Sequence, residues 1–240
     1  MKYFLSIDYG GTNTKAIVFD EEGRQLGQSA FSTKKIEEKA GYREVDLKET
    51  WQGIRQAMRQ AVKNAQLKAE DISALACIGH GKGLYLLDKN GQEFTRGILS
   101  TDERAVELAQ EFEERLDEIW DLTHQHVAAV QNPVLLRWFK EYEPEIYQNI
   151  GAILSAKDYV RFKLTGRIQQ EIGDASGNHW INFQTGTYDK RITAFFGIEE
   201  MYKLLAPQVD YAELVGGLTQ EAAAATVSYT HLTLPTTPYV

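Results

Sequence analysis

The chain has 240 residues, 43% hydrophobic and 25% charged, with a formal net charge of −8 and a pI near 5.2. That is enough chain to bury a full core, and its acidic balance argues against a nucleic-acid binder, which would carry a basic face. No apolar run reaches the roughly 20 residues of a membrane span, and Asp8 follows the first apolar residues too soon for a signal peptide. A single cysteine, Cys77, excludes an internal disulfide and suits a reducing, cytoplasmic compartment; it lies in the run ALACIGH and reads as a packed thiol.

In chain order, YFLSID (3–8) and KAIVFD (15–20) are short β-branched and aromatic runs around Gly10 and Gly11, which predicts a hairpin. QLGQSAFST supplies a third strand. Asp46 then caps a helix on which Leu47, Trp51, Ile54, Met58, Ala61 and Ala65 recur at helical spacing. ISALACIGH is apolar throughout and predicts a central strand covered on both faces. GLYLLDKNGQEF reads as strand, Asn90–Gly91 turn and strand. From Asp102 a helix carries the stripe Val106, Ala109, Phe112, Leu116 and Ile119. NPVLLRWFKEYEPEIY predicts a helix interrupted near Pro144, and GAILSAKDYVRFKLTG a strand followed by a helix stopped at Gly166. Residues 167–190 are polar and turn-rich. Strands followed by mixed strands and helices predict an α/β fold with a mixed sheet and flanking helices. Trp51 and Trp138 sit on apolar stripes and read as core.

The stretch SIDYGGTNTKA (6–16) carries the first chemistry. A tight loop of main-chain N–H groups holds phosphate well, glycines allow close approach, and a hydroxyl and a lysine add donors. An acid beside phosphates calls for a Mg²⁺ between them. Asp8, Gly10, Gly11, Thr12 and Lys15 supply these elements, although a plain diglycine hairpin fits the composition equally well. Neither the Walker spacing nor the dinucleotide fingerprint is present.

Further blocks point in one direction. GYREVDLKETW (41–51), IGHGKGLYLLDKNG (78–91), ILSTDERA (98–105), LLRWFKEYEPEIY (135–147), SAKDYVRFKLTG (155–166) and GDASGN (173–178) resemble, in order, the blocks of FGGY-type carbohydrate kinases. Their wording is nearest to the L-xylulose kinase branch. The resemblance implies a ribonuclease H-like domain of the actin, hexokinase and Hsp70 superfamily, and transfer of the γ-phosphoryl group of ATP to a hydroxyl of a ketopentose or related sugar or polyol. It implies that Asp8 sits by Mg²⁺ through water and that Gly10, Gly11, Thr12, Asn13 and Lys15 line the phosphate path. It places sugar contacts at His80, Gly81 and Lys82, and at Asp102 with Arg104 positioning it. Each has a plainer alternative: a solvated Lys15, a glycine-rich turn with a satisfied His80, and Asp102 as a helix cap. Asp158 and Asp174 read as structural. His124 and His126, two apart with no acid cluster beside them, do not read as a metal pair.

The same resemblance expects the general-base aspartate after a G-x-L-T-x-x-A-A segment, here VGGLTQEAAAAT (215–226). The sequence continues VSYTHLTLPTTPYV, with no acid. The expectation is therefore an N-terminal kinase domain over 1–226, a non-native tail over 227–240, and an adenosine-binding second domain that is absent. The partners implied are a small sugar and ATP, with no nucleic acid and no membrane; a homodimer is one arrangement for the whole parent protein. A non-catalytic sugar- or nucleotide-binding module and a hexokinase-like kinase are the competing readings.

Overall fold

The computed structural model describes residues 1–226; the expected foreign tail, 227–240, lies outside the described residues. Alternation builds the first hairpin. In β1 (Tyr3–Tyr9) Leu5, Ile7 and Tyr9 are buried, and in β2 (Asn13–Asp20) Thr14, Ala16, Val18 and Asp20 are buried, so one face of the ribbon faces the core. β3 (Gln25–Ser32) pairs antiparallel with β2. The turn between them is held by Asp20, whose carboxylate accepts from the main-chain N–H groups of Glu22 and Arg24.

After the short β4 (Glu44–Val45) comes α1 (Leu47–Asn64). Asp46 caps it by accepting from Glu49 N at 2.7 Å. Its buried stripe, including Ile54, Met58 and Ala61, packs on the sheet. The approach is close at Gly27, where a Cβ would lie 2.4 Å from Ala65 N. Trp51 is only half-buried, at the edge of this core, with Lys163 over its ring at 5.8 Å.

β5 (Ile72–Gly79) joins β1 in parallel, giving the order β3-β2-β1-β5 and a mixed sheet. The sequence placed this strand in the centre with both faces covered. It is instead the edge of the described sheet, with Ile72, Leu75 and Cys77 buried on one side and Ile78 40% exposed on the other. The outward positions Ala74 and Ala76 are small, so they read as apolar without needing a cover.

The doubly covered ribbon is β6 (Tyr85–Asp88) with β8 (Ile150–Leu154), paired antiparallel. Tyr85, Leu87, Ala152 and Leu154 belong to the sheet's core, whereas Leu84, Leu86, Ile150 and Ile153 belong to a second core. This ribbon is thus the wall between two hydrophobic clusters. β7 (Gly97–Ile98) pairs with β4.

The second core is closed by α2 (Val106–Glu113), α3 (Trp120–Thr123), α4 (Asn132–Tyr142) and α5 (Pro144–Asn149). The helix expected from Asp102 starts later, with Ala105 at its N-cap, and breaks into a 3₁₀ turn at Leu116–Glu118. Val106 drops out of the buried stripe at 40% exposure. Trp138 is buried here as expected. α6 (Ala156–Thr165) ends where Gly166 adopts φ +71° and its N–H donates to Phe162 O. The polar stretch that follows forms β9 (Gln170–Glu171), α7 (Ile172–Gly177), β10 (Ile181–Asn182) and β11 (Thr187–Tyr188). α8 (Lys190–Phe195), β12 (Gln208–Val209), which runs parallel to β9, and α9 (Gln220–Thr226) complete the described chain. Among the described residues no helix is long and apolar enough to cross a membrane.

Candidate functional site

Because β1 and β5 are parallel neighbours, their C-terminal ends emerge at one edge of the sheet. Tyr9 pairs with Gly79, and His80 N donates to Tyr9 O at 3.0 Å. The 10–13 turn and the 80–83 turn therefore stand side by side. Little separates them: a Cβ on Gly11 would meet His80 Cδ2 at 4.0 Å, and the Tyr9 and His80 rings lie 5.6 Å apart.

The first turn is tight. Gly10 N donates to Asn13 O at 3.1 Å, and a Cβ on Gly10 would lie 2.6 Å from that oxygen. Close approach, not a left-handed backbone, is what glycine supplies here, since positive φ is found at neither Gly10 nor Gly11. Thr12 O accepts from Thr33 N, and Asn13 Oδ1 accepts from Ser32 Oγ, which ties the tip to β3. The N–H groups of Gly11 and Thr12 find no acceptor among the described residues. Asp8 and Lys15 face each other across the ladder, on the side of the ribbon away from Ile7, Tyr9, Thr14 and Ala16. Two open N–H donors, a cradle that a side chain would fill, and a facing acid and lysine are a donor set that fits phosphate oxygens and a hydrated Mg²⁺.

The second turn is unusual. Lys82 adopts φ +63° and Gly83 φ +76°. Left-handed lysine is strained, and such strain gathers where a fixed side-chain direction is needed. His80 is pushed down to about 4 by burial, so its imidazole is neutral near pH 7. Its Nε2 lies 2.9 Å from the Tyr85 hydroxyl, which donates to Tyr9 OH at 3.0 Å. Its Nδ1 lies 3.4 Å from Gly81 O, so the two ring nitrogens face a tyrosine hydroxyl and a main-chain carbonyl. Burial raises both tyrosines, which keeps the relay uncharged.

Asp102 and Arg104 lie just beyond Leu99, which abuts Gly83. Asp102 is 3% exposed, and its two oxygens accept from Arg43 N, Arg104 N and the Arg104 guanidinium at 2.6–3.0 Å. Arg104 also reaches Glu44 at 2.7 Å and lies over the rings of Tyr42 and Trp138. The pair is a saturated brace under the turn. The alternative in which Asp102 caps the helix is not what forms, because the cap is Ala105.

Sequence reading passed over three partners of the site. Tyr85 was counted only as a strand residue. Asn132 was counted only as a helix start. Lys157 was only a letter of the K-D-Y block, yet it lies behind the edge: a Cβ on Gly79 would sit 3.0 Å from Lys157 N. Its ammonium contacts Asp174, Glu171 Oε2 at 3.0 Å and Asp158 Oδ1 at 3.9 Å, while Arg161 reaches Asp158 at 3.0 Å. Burial alone would lower Lys157, but the three carboxylates hold it well above the ordinary lysine value. Burial pushes Asp158 up to about 6 and raises Asp174, against the pull of Lys157. Asp158 and Asp174 are therefore held in a buried ionic cluster, consistent with the structural role read from the sequence. Among the described residues, no group of three or more His, Cys, Asp or Glu side chains is arranged to hold a metal ion.

The family model for the N-terminal domain of the FGGY carbohydrate kinases matches residues 3–230. A probable L-xylulose kinase of Pasteurella multocida is 36% identical over 94% of this chain and 47% of its own length. The L-xylulose/3-keto-L-gulonate kinase of Escherichia coli is 35% identical over 94% of this chain and 46% of its own. Among solved structures, xylulose kinase from Rhodospirillum rubrum matches with a TM-score of 0.89 at 22% identity, over 98% of this chain and 48% of that one. Glycerol kinase from Plasmodium falciparum, with ADP, matches at 0.87 and 20%, over 98% of this chain and 48% of that one. These structures share the fold. The chain spans about half the length of the curated relatives it matches.

Proposed function

The chain belongs to the FGGY family of carbohydrate kinases, and from that premise we propose that it is the sugar-facing half of a cytoplasmic, ATP-dependent kinase acting on a hydroxyl of a ketopentose or related sugar or polyol. Its fold is the ribonuclease H-like one of the actin, hexokinase and Hsp70 superfamily. The observation that carries the reading is the parallel pairing of Tyr9 with Gly79 and the bond from His80 N to Tyr9 O, which set a phosphate-type turn beside a sugar-type turn at one sheet edge.

In this reading residues 1–226 form the N-terminal domain. Gly10, Gly11, Thr12 and Asn13 offer main-chain and side-chain donors to the β/γ-phosphates, and Lys15 adds charge. Asp8 holds Mg²⁺ through water. The bound ion supplies charge neutralisation between acid and phosphate. His80, Gly81 and Lys82 meet the sugar, and Lys82 donates to hydroxyls. Asp102 and Arg104 hold that end in place. In this reading the residues named here contribute positioning and charge neutralisation, and none of them acts as the general base that deprotonates the hydroxyl.

Thermal shift with L-xylulose, D-xylulose, glycerol and gluconate, each with and without ATP·Mg²⁺, tests the reading. A ligand at a hundred times its Kd stabilises by about 2.7 kcal/mol, which is roughly 5–10 °C for a chain of this size. A shift with one ketose and no ADP release in a coupled assay is the expected result. Absence of a shift with every sugar and with ATP·Mg²⁺ refutes it. Because the chain spans about half of its relatives, a non-catalytic binding module is the second reading. ADP release at ordinary kinase rates would exclude that module and refute the assignment of positioning and charge neutralisation alone to these residues.

A further inference from the structure

Lys82 is held left-handed between two glycines, and the structure shows what holds it. On one side, a Cβ on Gly83 would lie 2.4 Å from Ile98 O, so β7 presses directly on the turn. On the other side, segment 130–132 takes both polar groups of the Gly83 main chain. Gly83 N donates to Val130 O at 2.9 Å, and Gly83 O accepts from Asn132 Nδ2.

Asn132 is fully buried at the start of α4, and every polar group of its side chain is directed. Its Oδ1 accepts from the Trp180 indole at 3.1 Å. A carbonyl can only accept and an indole N–H can only donate, so these two partners fix the amide's orientation uniquely. Its own N–H donates to Asn178 Oδ1 at 3.0 Å, and Asn178 Nδ2 in turn donates to Asp174 O and lies 3.4 Å from Ser155 Oγ. His179, beside Asn178, is a second left-handed residue, at φ +59°, and it lies within electrostatic reach of Lys82.

Asn132 thus sits between two strained turns and is bonded to both. A hydrophobic residue of similar size would fill the same space and leave Gly83 O unpaired. We propose that Asn132 is a positioning residue: its amide locks the Gly83 peptide and thereby keeps Lys82 left-handed, with its ammonium directed to the sugar. The proposal rests on the kinase reading for its ligand, but the clamp itself is independent of that reading.

The test uses the 240-residue chain, ¹⁵N-labelled, with L-xylulose and ATP·Mg²⁺ as probes. Calorimetry measures the affinity for each probe, and amide hydrogen exchange reads the Gly83 N–H. In Asn132→Ala, L-xylulose binding weakens about tenfold and Gly83 exchange quickens by a similar factor, while ATP·Mg²⁺ affinity stays within about twofold. Ile54→Val, in the buried stripe of α1, lowers Tm and leaves both affinities and Gly83 exchange alone, which separates the clamp from general loss of stability. Should Asn132→Ala fail to fold, Asn132→Ser gives the same reading, because a hydroxyl is too short to reach Gly83 O.

Unchanged L-xylulose affinity with an equally protected Gly83 amide overturns the proposal. So does an equal loss for both probes, which is the signature of a merely structural residue. If the unmodified chain binds no L-xylulose, the choice of ligand is wrong, and Gly83 exchange in the variant still decides: faster exchange upholds the clamp and unchanged exchange sinks it.

Discussion

Replacing Lys157 by methionine keeps the stem of the side chain and removes its charge. In the folded chain the buried ions behind β5 number two cations, Lys157 and Arg161, and three carboxylates, Asp158, Glu171 and Asp174. The variant leaves Arg161 alone against all three, with side chains at most 5% exposed. Breaking a buried pair in this way costs about 3–5 kcal/mol. With a urea m-value of about 3 kcal/mol per molar for a chain of this size, the midpoint falls by about 1–1.7 M. The pH dependence follows from the same charges. Lys157 is held above its ordinary value, so it is charged in the folded and the unfolded chain at every working pH, and its own titration adds no slope. Glu171 is held low largely by Lys157, although burial opposes this, and it rises once the cation is gone. Asp158, already at about 6, and Asp174 rise further. The folded variant then takes up protons before the unfolded chain does, so its deficit is largest above pH 7 and shrinks toward pH 5. Urea unfolding at pH 7.5, 6.5 and 5.5 measures both effects. A midpoint loss below about 0.3 M, or a deficit that does not change with pH, would refute the reasoning, because an uncompensated buried charge must do both.

Three further outcomes are expected. His179, fully buried and pushed down to about 4, is neutral in the folded chain, so the stability it contributes is present above pH 6.5 and lost as pH falls toward 4. His179→Asn, which keeps a residue tolerant of positive φ, flattens the fall in Tm over that window by the equivalent of up to about 3 kcal/mol; an unchanged slope excludes His179 as its source. Gly10→Ala puts a Cβ 2.6 Å from Asn13 O and forces the first turn open. It costs about 1–3 kcal/mol and abolishes the ATP·Mg²⁺ shift while sparing that of the sugar, as thermal shift will show. Gly27→Ala drives a methyl into the main chain at Ala61 and Ala65 and lifts α1 off β3. A loss of about 2–4 kcal/mol by urea unfolding is expected, and a neutral effect would mean that the helix slides aside freely.

Local features were legible in the sequence wherever one physical rule dominated. β-Branched and aromatic runs around Gly10 and Gly11 located β1 and β2, QLGQSAFST gave β3, the Asp46 cap and its apolar stripe located α1, and Gly166 marked the end of α6. The coverage of β5 was misread because two alanines count as apolar in composition and yet demand no partner. β6 was recognised as a strand, but nothing local says that Tyr85 and Leu86 serve two different cores. In the site, the glycine turns were visible as letters. Their adjacency was not, because it depends on β1 and β5 pairing across about 70 residues of sequence. Asn132 carried a weak signal, standing one residue before Pro133 at a helix start, where an asparagine reads as an ordinary cap. The observed cap is Gln131, and the asparagine side chain is spent on Gly83 and Trp180.

Synthesis from the N-terminus sets a timetable for this edge. The 10–13 turn closes on bonds within residues 3–33, so it can form once those residues have left the ribosome. The turn around Lys82 is completed by Asn132, which is itself bonded to Asn178 and Trp180. About 100 further residues must therefore emerge before the second turn is fixed, a delay of roughly 5–20 s at ordinary elongation rates. During that interval a nascent chain carries a finished 10–13 turn beside an unfinished 80–83 turn. The two halves of the edge mature in sequence order, the glycine turn first and the left-handed lysine turn second.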